Sequence, residues 1–333
     1  MGGNLLKQWA LPDKRLPNNL YHELGERLSV AVAKYAPDRK FRPLRHFAAK
    51  KDHGDFDGLL ETKAGDSYNW IEFLGKLSGF QPHKNGATIS VPIDGFQCDF
   101  NLAPSNSYEC SYNYHSWETG MLVGVVARRM SLQYGSAGLF LMLPLSYFDN
   151  ELPDHEFKNI LITTDTEEIF NILGFDYERF VKGFDSREDM YKWVAQSRYF
   201  IGNYFEYTEL NHQNKTRNAK RPTYAAFLEW AKSQEDKEQA PSKEAMRARI
   251  IAEFPHVSVE MDKHRAKLLK DAERRAKFNG NLIAESKNIA GAELGCFIVA
   301  FKKSVGADFD AWLDANNAES VKAALEKFSL TGN

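Results

Sequence analysis

Apolar residues recur at every third or fourth position between 19 and 36, where Leu20, Leu24, Leu28, Val32 and Tyr35 stack on one side, and this spacing predicts an amphipathic helix. The period then shortens. Phe41 to Ala49 reads as a first strand feeding a polar turn, Lys50 to Gly54, and Asp55 to Glu61 as a second strand. Asp66 is placed to cap a helix running through Leu77, with Trp70, Ile71, Leu74 and Leu77 on one face. Ala87-Thr88-Ile89-Ser90-Val91 alternates in period two, and Asp94-Gly95 is a hairpin turn into the strand that holds Asp99.

Beyond residue 115 the pattern turns mainly helical. Ser116 is placed to cap a helix to about Gln133, ended by Tyr134-Gly135. Gly138 to Leu145 and Lys158 to Thr163 read as a second hairpin, and helices follow at 166–173, 177–182 and 186–197 with Ser186 as a cap. Their aromatics, Phe170, Tyr177, Phe180 and Trp193, suit a core better than a stacking platform. Asn211 to Pro222 reads as a polar loop, Pro222 starts a further helix, and 232–245 reads as an exposed linker. Ser258 is placed to cap a long helix ending near Phe278.

The chemistry concentrates in Asp55-Phe56-Asp57. On an extended segment, residues i and i+2 point to one side, roughly 6.5 Å apart along the backbone. A neighbouring strand would bring Asp99 within about 5 Å sideways. At an effective dielectric of ~20, two carboxylates ~6 Å apart repel by roughly 3 kcal/mol, so such a cluster holds a proton or recruits a cation. Oxygen ligands suit Mg²⁺. A solvated Asp-rich turn is the plain alternative.

Gly54-Asp55-Phe56-Asp57, then a helix, then an acidic residue on a strand, resembles the DNA polymerase β-type nucleotidyltransferase superfamily over residues 40–102. The resemblance implies an α+β chain, with a small mixed-sheet nucleotidyltransferase domain followed by a mainly helical domain. It also implies two Mg²⁺ ions held by Asp55, Asp57 and Asp99 against a nucleoside triphosphate. Asp55 and Asp57 would bridge both ions, and Asp99 would serve the ion that activates the nucleophile. One departure stands out: where the family carries Gly-Ser on a turn before the acidic pair, this chain reads His46-Phe47-Ala48-Ala49. Lys50, Lys51 and Gly54 on the turn, and Arg128 with His115 at the next helix, are the candidate contacts to the triphosphate.

Charge sharpens this picture. The 333 residues carry a net charge of −2, yet residues 1–210 hold 22 basic and 28 acidic side chains while 211–333 hold 21 and 17. In the basic part, Lys215, Arg217, Lys220 and Arg221 face no acidic residue between 211 and 222, which suits phosphate contacts or an ordinary connector. On the long helix Lys263, Lys267, Lys270, Arg274 and Lys277 recur at 4, 3, 4 and 3, one cationic stripe that suits a polyanion or a solvated face. Phe278-Asn279-Gly280 and Gly291-Ala292-Glu293-Leu294-Gly295 are similar to a helix–turn–helix signature in the helical body of tRNA nucleotidyltransferases. Gly280 is expected to permit a left-handed turn, and Gly291 and Gly295 a close helix approach.

Expected domains are 1–165 (catalytic), 166–235 (helical connector) and 236–333 (helical, nucleic-acid-binding). Three scattered cysteines, Cys98, Cys110 and Cys296, exclude a disulfide framework and a cysteine zinc site, and point to a reducing, cytoplasmic setting. No apolar run reaches the ~18 residues of a membrane span, and neither a signal-peptide core nor a myristoylation pattern is evident at the start. The expected activity is transfer of a nucleoside monophosphate to a 3′-hydroxyl of RNA, a tRNA end first, with a DNA end next and a small molecule or protein third. The alternative is a degenerate nucleotidyltransferase fold that only binds nucleic acid.

Overall fold

The computed structural model describes residues 5–329, which form an α+β chain with a mixed sheet in its N-terminal part and a mainly helical C-terminal part. After the short strand β1 (Leu16–Pro17), helix α1 (Asn18–Tyr35) buries Tyr21, Leu24, Leu28 and Val32. Leu24, Leu28 and Val32 are buried as expected; at the first turn Leu20 stays 40% exposed and Tyr21 goes in. Strand β2 (Phe41–Pro43) is shorter than expected, and the chain turns through 44–51 before β3 (Asp52–His53) and β4 (Phe56–Thr62).

Helix α2 (Trp70–Ser78) is capped by Asn69, whose side chain accepts the Glu72 N–H, not by Asp66. Asp66 instead takes the guanidinium of Arg39 at 3.1 Å, and the two side chains are only 12% and 7% exposed. A carboxylate so placed is worth more as a partner to a shielded cation than as an exposed cap. Strands β5 (His83–Asn85), β6 (Thr88–Ile93) and β7 (Phe96–Pro104) complete a five-stranded sheet ordered β2-β4-β7-β6-β5, with β4 and β7 parallel and the other neighbours antiparallel. The β6–β7 turn has Asp94 and Gly95 both at positive φ, 53° and 79°, as a two-residue hairpin requires.

The two faces of this sheet differ because side chains alternate. Phe56 and Leu60 on β4 and Phe96, Cys98 and Phe100 on β7 join the core beneath α1 and α2. Leu59 and Ala103 face the other way, packing with Tyr108 and Tyr112 of α3 (Tyr108–His115). Asp57, Gln97 and Asp99, in phase with Leu59 and Ala103, share that second face.

The expected helix from Ser116 is interrupted. Ser116 donates to the Tyr112 carbonyl instead of capping, Trp117 and Glu118 adopt left-handed backbone, and α4 (Thr119–Arg129) starts only after them. Tyr134-Gly135, expected to end a helix, lies in β8 (Leu132–Gly135), which joins β9 (Gly138–Pro144) and β10 (Phe157–Thr163) in a three-stranded sheet. Helices α5 (Thr166–Leu173), α6 (Tyr177–Lys182) and α7 (Arg187–Ala195) follow as expected, the last capped by Ser186. Phe170, Phe180 and Trp193 are buried among them.

The expected loop at 211–222 contains helix α8 (His212–Asn218), because the Asn211 side chain accepts the Asn214 N–H and starts a turn; Pro222 then opens α9 (Pro222–Ala231). The 232–245 stretch lacks regular structure up to α10 (Lys243–Glu253) but does not hang free. Its Lys237 and Glu238 amides donate to the Phe200 and Arg198 carbonyls, at 2.7 and 3.1 Å.

Packing divides the chain into two units, residues 1–144 with 155–257, and 145–154 with 258–333. The stretch 166–235, expected as a separate connector, belongs to the first. Helix α11 (Pro255–Lys277) crosses the division. The second unit adds α12 (Gly280–Lys287), α13 (Gly291–Ser304), α14 (Phe309–Ala315) and α15 (Ala318–Lys327) around Phe278, Ile283, Phe297, Phe301 and Leu313. Gly280 is an ordinary helical residue after the Asn279 cap, and the left-handed positions are Asn288 and Gly291. A Cβ at Gly291 or Gly295 would meet nothing within 4 Å, so neither marks a close helix approach. Among the described residues, no helix is long and apolar enough to cross a membrane.

Candidate active site

The parallel register of β4 and β7 sets Asp57 directly beside Asp99. Asp55, expected on the strand, lies in the bend just before β4 and lines one cavity with Asp57. All three carboxyls are half-buried. Burial and the mutual repulsion of the three acids push Asp57 well above the ordinary carboxylate range and raise Asp55, with Lys50 pulling both back. Burial also raises Asp99, against hydrogen bonds from Ser90 and Gln97 that favour its ionised form.

Gln97, which the sequence analysis passed over, fixes Asp99. Its Nε2 donates to both Asp99 oxygens at 3.1 and 2.9 Å, and its Oε1 accepts the Leu5 N–H at 3.0 Å, which sets the amide's orientation. Gln97 stands two positions before Asp99 on the same strand face, so period-two phasing was the signal that could have found it. The donor set, three hard carboxylates, suits Mg²⁺. Among the described residues, however, no three Asp, Glu, His or Cys side chains stand in a ligand-like arrangement. Asp55 and Asp57 line one cavity, while both Asp99 oxygens accept from the Gln97 amide.

A small cavity of about 80 Å³ opens beside Asp55 and Asp57, walled by Lys50, His46, His115 and Glu118 among others. His53 stacks on Tyr21 with ring centroids 4.0 Å apart, and its Nε2 meets Asn18 Oδ1 at 3.0 Å. Burial and Lys50 push the His53 pKa down to about 3, so its ring is neutral and serves as wall. Lys50 is half-buried in this wall. Lys51 is exposed, its carbonyl accepting the Asn18 N–H, and Gly54 lies in the bend before β4.

The left-handed Trp117 and Glu118, with φ of 52° and 62°, are costly conformations for residues other than glycine. They are held by the Trp117 indole N–H, which donates to the His46 carbonyl at 3.0 Å. This kink sets His115 and Glu118 in the wall of the acidic cavity. A separate space, about 290 Å³, lies between α4, β8 and α8, with Arg128, Arg217 and Arg221 on its walls. An adjoining hollow adds Lys220 and shares His115 and Glu118 with the acidic cavity. The structure thus brings Arg128 together with Arg217, Lys220 and Arg221, and leaves Lys215 outside. Burial beside Arg217 lowers His115 to about pKa 4.

The basic stripe on α11 is not a free surface along its whole length. Arg274 binds Asp314 through two nitrogens at 2.7 Å each and Asp310 at 2.8 Å, Lys270 binds Asp314 at 2.7 Å, and Lys277 donates to the Leu313 carbonyl at 3.0 Å. These three fasten α14. Lys263 pairs with Glu260, while Lys267 is exposed.

No family profile matches the chain, and no curated protein matches it. Among solved structures, the chain is similar to the polymerase beta of Leishmania infantum, crystallised as a ternary complex. The TM-score is 0.38 at 13% identity, over 52% of this chain and 84% of that one.

Proposed function

We propose that this chain is a metal-dependent nucleotidyltransferase that moves a nucleoside monophosphate from a nucleoside triphosphate to a 3′-hydroxyl of a polynucleotide. The observation that carries this reading is the register of Asp57 against Asp99 on parallel strands, with Asp55 lining the same cavity as Asp57. Asp55 and Asp57 would hold two Mg²⁺ ions, with Asp99 on the ion at the nucleophile. Bound there, the ions lower the hydroxyl's pKa and neutralise phosphate oxygens. The hydroxyl oxygen attacks the α-phosphorus, the bond to the bridging oxygen of the β-phosphate breaks, and pyrophosphate leaves. The hydroxyl proton would pass to the Asp99 carboxylate as general base. Lys50, facing Asp55 and Asp57, offsets their charge before substrate arrives.

The preferred acceptor is an RNA end, a tRNA 3′ end first, and a DNA end comes next. This order rests on the basic residues of α11, such as the exposed Lys267, and on the sequence resemblance in the C-terminal part, although Gly280, Gly291 and Gly295 do not play the structural parts it implies. A second reading, a catalytically silent fold that only binds nucleic acid, is favoured by one observation: both Asp99 oxygens are taken up by the Gln97 amide. The test supplies each of the four triphosphates in turn, with Mg²⁺ and a mixed pool of RNA and DNA ends. A labelled, lengthened RNA with release of pyrophosphate is the expected result. Salt-sensitive RNA binding without pyrophosphate from any triphosphate would establish the second reading.

A further inference from the structure

We infer that the cavity walled by Arg128, Arg217 and Arg221 is an anion site that seats a polyphosphate chain, the triphosphate tail of the donor nucleotide. This deepens the proposed function and rests on it only for the identity of the nucleotide.

The three guanidinium groups converge from separate elements, Arg128 from the last turn of α4, Arg217 from α8 and Arg221 from the residue before α9. Among the described residues, none of their side chains makes an ion pair or a hydrogen bond, although Arg128 and Arg221 are half-buried. Three other shielded arginines of the same unit have carboxylate partners, Arg39 with Asp66, Arg129 with Glu209 and Arg179 with Asp189, and Arg45 lies over the Tyr112 and Trp117 rings. A guanidinium withdrawn from water without a counter-charge is costly, and three around one space repel one another. Burial pulls the Arg128 and Arg221 pKa values down, and Arg217 adds to the effect at Arg221, as expected of cations awaiting an anion.

The shape favours a compact polyanion. Gly120 and Gly124 present no side chain to the space, and a Cβ at Gly120 would collide with the Tyr114 ring at 2.5 Å. A polynucleotide backbone needs a groove that tracks successive phosphates, whereas about 290 Å³ bounded on several sides takes a short, highly charged chain with bidentate arginine contacts. Shared walls give the direction. The adjoining hollow shares Arg217 and Arg221 with this space, and His115 and Glu118 with the cavity at Asp55 and Asp57. A tail seated among the arginines would leave its α-phosphate towards the acids. The grip that a Gly-Ser turn would provide, absent at His46-Phe47-Ala48-Ala49, would then come from α4 and α8.

Isothermal titration of the full chain with inorganic tripolyphosphate, in magnesium-free buffer at constant ionic strength, tests this. Wild type is expected to bind, and Arg221→Gln and Arg128→Gln each to weaken binding tenfold or more, as for loss of a charge-assisted bond. Arg217→Glu, on an exposed residue whose change leaves the core intact, is expected to weaken it further. Asp57→Asn is expected to leave affinity unchanged or tighter. No binding by wild type, or equal affinity in folded Arg217→Glu and wild type, overturns the inference, as does loss in these variants of affinity for a single-stranded oligonucleotide but not for tripolyphosphate. Nucleotide transfer that proceeds with tripolyphosphate affinity insensitive to the arginines sinks this site alone. Arginine-dependent tripolyphosphate binding without any transfer upholds the site and sinks the proposed function.

Discussion

The side-chain amide of Gln97 holds Asp99 by both carboxylate oxygens, at 3.1 and 2.9 Å, while its own carbonyl is pinned by the Leu5 N–H. Hydrogen bonds of this kind favour the ionised carboxylate against the burial that raises it. Gln97→Leu removes them. Incorporation at neutral pH is expected to fall roughly tenfold or more, for loss of bonds to a charged group worth about 1.5–3 kcal/mol. The acid limb of the pH–rate profile should also move to higher pH. A profile that keeps its acid limb would show that Gln97 only fills space.

Asp57 carries the strongest penalty, and its sign can be followed in stability. Its pKa is raised on folding, so its contribution is most favourable below the ordinary carboxylate value and is lost as pH rises through the raised one. Without divalent cations, wild type is therefore expected to melt at lower temperature at pH 8 than at pH 5. Asp57→Asn should melt several degrees higher than wild type at pH 8, at roughly 2–4 °C per kcal/mol relieved, with little difference at pH 4. Thermal melts in chelator across this range decide it; parallel curves would remove the electrostatic argument.

Gly120 allows α4 to lie against the Tyr114 ring. In Gly120→Ala the new methyl would stand 2.5 Å from the ring and 2.7 Å from the Tyr114 carbonyl oxygen. Overpacking of that kind costs about 1–3 kcal/mol, to be read from urea unfolding, and Tyr114 should be displaced into the arginine-lined space. Unaltered stability would mean that this helix is free to shift.

The α11 stripe divides into two kinds of cation. Arg274 is fastened to Asp310 and Asp314, so Arg274→Ala should lower the melting temperature of the second unit, with loss of fit at α14. Lys267 is exposed, and Lys267→Glu should instead weaken RNA binding and flatten its salt dependence by about one counterion. RNA affinity that ignores Lys267 would mark the stripe as a solvated face.

The alternation of apolar residues made the sheet legible, and with it the acids: Phe56, Leu60, Phe96, Cys98 and Phe100 claim one face, which forces Asp57 and Asp99 to the other. Local signals failed where long-range partners intervened. Asp66 caps nothing because Arg39, twenty-seven residues away, takes it. The 211–222 stretch lacks an apolar face, so its helix was invisible until Asn211 was seen as a cap. The kink at Trp117 and Glu118 depends on the His46 carbonyl, far upstream, and no propensity encodes it. Arg128 and the 217–221 basic residues were each noted in the sequence; that they line one cavity depends on how α4 packs beside α8, which only tertiary structure reveals.

The most direct measurement compares wild type and Asp57→Asn for incorporation of labelled nucleotide from a triphosphate with Mg²⁺, on a mixed pool of RNA and DNA ends. Circular dichroism confirms that both are folded. The account expects incorporation and pyrophosphate release by wild type, and their loss by at least a hundredfold in the folded variant. Equal incorporation by the two proteins would contradict it.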